Sequence, residues 1–308
     1  MSKSVSIIIP TLNAAEYLPK LFSAFDSQDY KGSIEVVIID SSSDDDTEKI
    51  LLEHKSIQYI KIARKDFTHG YARNLGVKKA KGEIVVFLSQ DALPYDKFWL
   101  HNLTAPLELD HTAASYSRQV PYSDATPIEA YFLNVRFPEE RKLVHSTPVQ
   151  ELKLADVFFS NVSSAARRSA ALETPFQEDL IMSEDQQFSR DLLKKGYSII
   201  YEPSSIVWHS HRYSLKTVFQ RYFDSAYSLS CIFNQTLGES SKIGLSYIKK
   251  QMWFMLTHYP HWLPYYFFYL MAQTLGTIAG HYAQALPLWL VKKLSFHRGF
   301  WERKQSQK

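Results

Sequence analysis

Three short stretches carry side chains that can do chemistry. The first is Ser89-Gln90-Asp91, which closes the apolar run Ile84-Val85-Val86-Phe87-Leu88. An unpaired carboxylate does not stay inside such a run, because its burial is costly. Asp91 is therefore expected to project from the end of the run, where it can hold a divalent cation against a diphosphate. A turn or helix-capping aspartate is the competing reading. The second stretch is Glu184-Asp185, at the head of an expected helix. An acid there can take a proton from an attacking hydroxyl, or can simply favour the helix dipole. The third is Trp208-His209-Ser210-His211. Alternate positions of an extended segment face one side, so His209 and His211 present two imidazoles together. Imidazole is a common metal ligand, although this spacing alone is no zinc signature.

Two weaker signals accompany these. His69, Gly70, Arg73 and Asn74 lie in Phe67-Thr68-His69-Gly70-Tyr71-Ala72-Arg73-Asn74. They suit phosphate or base edges, or a solvated loop that opens a helix. Asp40 ends a second apolar run and can accept from a base or ribose, or stabilise a turn.

These residues need elements to hold them. The continuous apolar, β-branched run at 5–10 predicts a buried strand, and 34–39, 57–62 and 84–88 read as further strands. Leu18, Leu21, Phe22 and Phe25 recur at helical spacing, a further helix starts at Thr47, and 71–80 reads as a helix stopped by Gly82. Alternating strands and helices imply right-handed crossovers and an α/β fold with a mostly parallel, Rossmann-like sheet flanked by helices. Ligands of such sheets sit beyond the carboxyl ends of the strands. Three tips there, Pro10-Thr11-Leu12-Asn13, Asp40-Ser41-Ser42 and Gln90-Asp91-Ala92, are small and polar and point to a nucleotide site. Residues 105–150, with five prolines from Pro106 to Pro148, read as loops and short helices. Beyond them a strand is expected at 158–164, a helix at 184–195 ended by Gly196, and an extended segment at 199–206.

The chain has 308 residues, 45% of them apolar, enough for one large α/β domain with an extension. A net charge of +3 gives no whole-protein argument for nucleic acid, which is not an expected partner. One cysteine, Cys231, makes an intramolecular disulfide impossible and suits a reducing compartment. Met1-Ser2-Lys3-Ser4 runs into a strand-like segment with no signal-peptide pattern, so a cytoplasmic location is expected. Neither G-x-G-x-x-G nor G-x-x-x-x-G-K-[ST] occurs, which weighs against dinucleotide oxidoreductases and P-loop enzymes. From Leu215 onward the pattern is helical, and 251–291 holds no Asp, Glu, Lys or Arg while Lys249-Lys250 and Lys292-Lys293 flank it. That length could span a bilayer, for which about 20 residues suffice. Pro260, Pro264, Pro287 and several His and Gln argue instead for helices lying in the membrane interface or packed on protein.

The order of these segments resembles the family two glycosyltransferases, inverting enzymes with the A-type nucleotide-diphosphosugar transferase fold. Ser6-Ile7-Ile8-Ile9-Pro10-Thr11-Leu12-Asn13 looks like their opening strand and loop. The stretch from Val37 to Thr47 looks like their nucleoside-binding segment, and that from Gly82 to Ala92 like the strand bearing their D-x-D-type metal motif. Glu184-Asp185 looks like their catalytic-base pair. The resemblance implies Asp185 as base with Glu184 beside it. It implies a nucleotide-sugar site at Pro10, Thr11, Asn13, Asp40, Ser42, His69, Arg73, Asn74, Gln90 and Asp91. Gln90 stands where the usual first Asp of the metal motif would be, so Mg2+ or Mn2+ would need Asp91 with His209 and His211.

Phe67-Thr68-His69-Gly70, Arg73-Asn74-Leu75-Gly76 and Trp208-His209-Ser210-His211 resemble the rhamnosyltransferase branch of bacterial surface-polysaccharide synthesis. The implied donor is dTDP-β-L-rhamnose, and the implied acceptor a glycan or lipid-linked glycan. The implied setting is the cytoplasmic face of the membrane, with peripheral contact through the C-terminal segment and room for a homo-oligomer. The expected division is a catalytic domain over 1–215 and a helical extension over 216–308. The alternatives are a UDP- or GDP-sugar donor, or a glycan-binding protein that keeps the fold without catalysis. A nucleotidyltransferase would need a glycine-rich, basic first loop, and Thr11-Leu12-Asn13-Ala14 is neither.

Overall fold

A computed structural model describes residues 3–144, 152, 156–233 and 237–306. In chain order the strands are β1 (Val5–Thr11), β2 (Ile34–Asp40), β3 (Ile57–Lys61), β4 (Ile84–Leu88), β5 (Leu93–Pro94), β6 (Thr112–Val120), β7 (Lys142–Val144), β8 (Ser163–Arg167) and β9 (Ser198–Trp208). The α-helices are α1 (Leu18–Asp26), α2 (Thr47–Glu53), α3 (His69–Lys79), α4 (Trp99–Thr104), α5 (Pro127–Arg136), α6 (Arg168–Glu173), α7 (Glu184–Lys194), α8 (Leu215–Phe233), α9 (Leu237–His258), α10 (Leu263–His281), α11 (Leu288–Leu294) and α12 (Arg298–Ser306). They fall into two compact units. One comprises Met1–Tyr122, Arg136–Asp179 and Glu184–His209; the other comprises Ser123–Val135, Leu180–Ser183 and Ser210–Lys308.

The first unit holds a nine-stranded sheet in the order β3-β2-β1-β4-β8-β6-β9-β5, with β7 paired to β9. β1 runs parallel to β2 and β4, and β2 parallel to β3, as the alternating sequence predicts. Ile7, Ile8 and Ile9 of β1 are all fully buried, because helices cover both faces of a parallel sheet. The far half is mixed: β8 is antiparallel to β4 and β6, while β6 and β9 are parallel.

Two elements differ from the sequence expectation. Residues 112–120, expected among loops and short helices, form the nine-residue strand β6. Its sequence is small and polar, yet Thr112 through Ser117 are buried. The hydroxyls make this possible, because hydrogen-bonded polar groups can be buried at little cost. Ser115 Oγ donates to Leu103 O at 2.5 Å, and Ser117 Oγ lies 2.7 Å from Ser163 Oγ and 2.8 Å from Ser205 Oγ. The strand expected at 158–164 sits at Ser163–Arg167 instead. Phe158 and Phe159 are held by ring packing against Tyr116 rather than by a strand ladder. Residues 145–150 of the proline-bearing stretch, Pro148 included, lie outside the described residues.

In the second unit α10 lies close against α8. A Cβ at Gly276 or Gly280 would collide with the carbonyls of Phe219 and Phe223, so only glycine permits the approach. Phe223, Tyr227, Val291, Phe300 and Trp301 form one core cluster there, and Ile128, Met255 and Tyr266 a second. Among the described residues no helix is long and apolar enough to cross a membrane.

Candidate active site

The strand tips of the first unit are tied to one another. Asp40 is fully buried at the end of β2. Its carboxylate accepts from Thr11 Oγ1 at 3.3 Å, from the Ser43 amide at 3.1 Å and from Ser43 Oγ. Ser43 Oγ in turn accepts from the Asn13 amide at 2.8 Å, and Asn13 Oδ1 accepts from the Asp44 amide at 2.8 Å. Ser42 Oγ donates to Ile62 O at 2.8 Å. Asn13 and Ser42 have φ of 53° and 61°, the left-handed region that costs an L-residue energy. Such strain gathers at functional sites. Pro10 pairs in register with Ile39, which carries the first tip alongside the second.

The tip of β4 joins them through Gln90. Its carboxamide oxygen accepts from Leu12 N at 2.8 Å and its nitrogen donates to Leu12 O at 3.0 Å. Gln90 thus engages both backbone polar groups of Leu12 in the first loop with the two ends of its side chain. The next residue, Asp91, keeps its carboxylate 28% exposed.

His209 follows directly on β9. Its Nδ1 is 2.9 Å from Gln119 Oε1, while Gln119 Nε2 donates to Ser160 Oγ at 2.9 Å. Nδ1–H is therefore the donor, and Nε2 is the nitrogen 3.7 Å from Asp91 Oδ1. A ring fixed through one nitrogen in this way is oriented for coordination through the other. β6 makes this possible: Val120 pairs with Trp208, and the His209 amide donates to Val120 O at 3.0 Å. Trp208 stacks on Tyr122 with centroids 5.9 Å apart. His211 stands two residues further along the chain, and one ligand atom from each of Asp91, His209 and His211 lies within 4.8 Å of the others. Gln119 went unnoticed in the sequence because the strand that carries it was not expected.

The acidic pair opens α7. Glu184 Oε1 accepts from Arg73 Nη1 at 2.7 Å, with side-chain exposures of only 8% and 6%. Burial pushes the Asp185 carboxyl up to about 7, and the charge of Glu184 adds to the rise. Arg73 and the backbone N–H groups of Gln186 and Asn161 pull the other way. Ser183, just before the pair, has φ of 64°.

In the His69–Asn74 stretch, Arg73 reaches this acid and Asn74 reaches a neighbouring loop. Asn74 Nδ2 donates to Phe176 O at 2.9 Å and to Glu178 Oε1 at 2.8 Å, and Asn74 Oδ1 accepts from Phe176 N at 3.0 Å. Gly70 lies so close under Gln177 that a Cβ would meet its carbonyl. His69 packs edge-on to Phe67 at 5.1 Å and gives its carbonyl to Arg73 Nη1 at 3.3 Å. The structure thus brings Arg73 to Glu184 and Asn74 to the 176–178 loop.

Comparison with known proteins identifies the family. Residues 6–173 match the family described as Glycosyl transferase family 2. The chain is 31% identical over 305 residues to the O-antigen chain rhamnosyltransferase RfbN of Salmonella typhimurium, covering 98% of this chain and 97% of that one. It is 32% identical over 308 residues to the O-antigen chain rhamnosyltransferase WbaN of Salmonella anatum, again covering 98% and 97%. Among solved structures it resembles a mannosyltransferase from Pyrobaculum calidifontis in complex with GDP-Man and Mn2+, with a TM-score of 0.58, 18% identity, and coverage of 93% of this chain and 77% of that one. It also resembles S. aureus TarS in complex with UDP, with a TM-score of 0.54, 18% identity, and coverage of 99% and 87%. At that identity the two structures speak to the fold alone.

Proposed function

The chain belongs to glycosyltransferase family 2, and from that premise we propose that it transfers L-rhamnose from dTDP-β-L-rhamnose to a hydroxyl of a lipid-linked glycan during surface-polysaccharide assembly. The observation that carries this reading is likeness to two rhamnosyltransferases over nearly the whole chain, C-terminal helices included. The catalytic part is 1–215 and the helical extension 216–308.

Pro10, Thr11, Asn13, Asp40 and Ser42 shape the nucleoside cleft, with Gln90 locking the β4 tip onto Leu12. Asp91, His209 and His211 would hold the divalent cation. Two imidazole nitrogens with one carboxylate make a poor site for Mg2+, which prefers oxygen donors, and a better one for Mn2+. A bound cation supplies positive charge opposite the departing nucleotide diphosphate.

Asp185 accepts the proton of the acceptor hydroxyl. The hydroxyl oxygen bonds to the anomeric carbon as the bond from that carbon to the diphosphate oxygen breaks, dTDP leaves, and configuration inverts in a single displacement. A carboxyl pushed up to about 7 is well matched to this task near neutral pH. Glu184, clamped by Arg73, raises the proton affinity of Asp185, while His69 and Asn74 steady the loops around the pair.

The extension suits contact with an anionic bilayer surface at the cytoplasmic face. Phe267, Phe268, Met271, Leu275 and Ile278 are exposed along one face of α10, and Trp253 and Trp289 are 69% and 67% exposed. Lys249, Lys250, Lys292 and Lys293 flank this region, and 251–301 contains no acid. Aromatic and cationic residues of this kind favour the interface of anionic membranes.

A donor panel tests the reading. dTDP release from dTDP-rhamnose should exceed nucleotide release from UDP- and GDP-sugars, and Asp185→Asn should abolish it while calorimetry still detects donor binding. Preference for a UDP- or GDP-sugar would overturn the donor, and full activity of Asp185→Asn would overturn the base.

A further inference from the structure

The second unit contains a cavity of about 630 Å³ lined by Arg212, Tyr213, Ser214, His261, Trp262 and Tyr265 among others. That volume lies within the range of small-molecule sites, about 300–1,000 Å³. We propose that this cavity binds a pyranoside unit of the acceptor glycan, an inference that rests on the glycosyl-transfer reading above.

The walls fit a sugar ring. Trp262 and Tyr265 stand with ring planes 89° apart and centroids 5.6 Å apart, which makes a corner of two aromatic plates. One face of a pyranoside presents C–H groups that can lie on such a plate while the ring's edge meets the other. The hydroxyls around the ring edge need donors and acceptors, and Ser214 and His261 of the lining supply them.

The cavity is built before any ligand arrives. Tyr265 Oη donates to Tyr213 O at 3.3 Å, and Arg212 Nε donates to Asp124 O at 2.6 Å. Tyr213 stacks with His211 at 4.7 Å and carries the Arg221 guanidinium 4.8 Å from its centroid. Glu129 accepts from the His211 backbone amide, which ties down the start of the 211–214 segment. Preorganised walls lower the ordering cost of binding.

The lining also selects the class of ligand. No acidic residue lines the cavity among the described residues, so it is not a cation site. Its guanidinium already serves the carbonyl of Asp124 and lies 3.6 Å from that residue's carboxylate, so a dedicated phosphate site is disfavoured. The polar rim is wasted on a hydrocarbon chain. A neutral saccharide uses both the plates and the rim. The chain order fits as well, because Arg212, Tyr213 and Ser214 follow His211 directly. An acceptor held there lies a few residues along the chain from a proposed metal ligand.

The test uses the full chain labelled with 5-fluorotryptophan, with the Trp262 fluorine signal assigned by its loss in Trp262→Phe. Methyl α-D-gluco-, galacto- and mannopyranosides are titrated, and geranyl phosphate serves as the lipid arm. At least one pyranoside should move the Trp262 signal saturably. His261→Ala, at an exposed position that leaves the fold intact, should raise that Kd at least threefold. If none of the three sugars moves the signal, or if only geranyl phosphate does, the inference is overturned. dTDP release by the same sample judges the functional reading separately: turnover with a silent Trp262 removes the pocket and leaves the enzyme.

Discussion

Glu184→Gln is the most informative single change in this protein. It keeps the shape of the side chain and removes its charge. Asp185 stands at about 7 instead of 3.8, and after burial the largest cause is the charge of Glu184. Because the carboxyl is raised, activity should fall on the acid side at a higher pH than an ordinary carboxylate would give. Without the neighbouring negative charge Asp185 gives up its proton at lower pH. Arg73 then faces no carboxylate at position 184 and favours the ionised Asp185 as well. Both effects have the same sign, and the acid limb of kcat/KM moves toward lower pH. Breaking a buried pair costs about 3–5 kcal/mol of stability, so the variant must be assayed below its Tm with its folded fraction measured by circular dichroism. The assay is dTDP release from dTDP-rhamnose between pH 5 and 9. A wild-type limb near pH 4, or a limb that Glu184→Gln leaves in place, would refute the reasoning.

Gln119→Leu removes the acceptor that fixes the His209 ring, and loss of such a partner typically costs about 10–100-fold in metal affinity; calorimetric titration with Mn2+ checks this, and an unchanged Kd counts against the metal role. Asn74→Ala deletes three hydrogen bonds that hold the 176–178 loop, with an expected loss of about 2–3 kcal/mol. Thermal unfolding should register it as a lower Tm. Phe267→Ser combined with Phe268→Ser and Met271→Ser, all at exposed positions, should reduce flotation with phosphatidylserine-containing vesicles without lowering dTDP release. Equal flotation of variant and wild type would remove the membrane face.

The signals legible in the sequence were local. β1, β2 and β4 are largely apolar runs rich in β-branched residues, and the polar residues that close them mark their tips. The acidic pair at the head of α7 and the alternate histidines were visible for the same reason, since each sits within a few residues of its own context. The tertiary structure decided what those residues touch. Arg73 meets Glu184 across 111 residues of chain, Asn74 meets Phe176 across 102, and Gln90 meets Leu12 across 78. No local pattern encodes such partners. β6 is the sharpest case. It lies in the proline-bearing stretch expected to be loops and short helices, and its polar sequence carries no record of whether a hydroxyl will find a partner. Three serine hydroxyls on β6, β8 and β9 satisfy one another inside the sheet. The strand they allow is the one that brings Gln119 to His209.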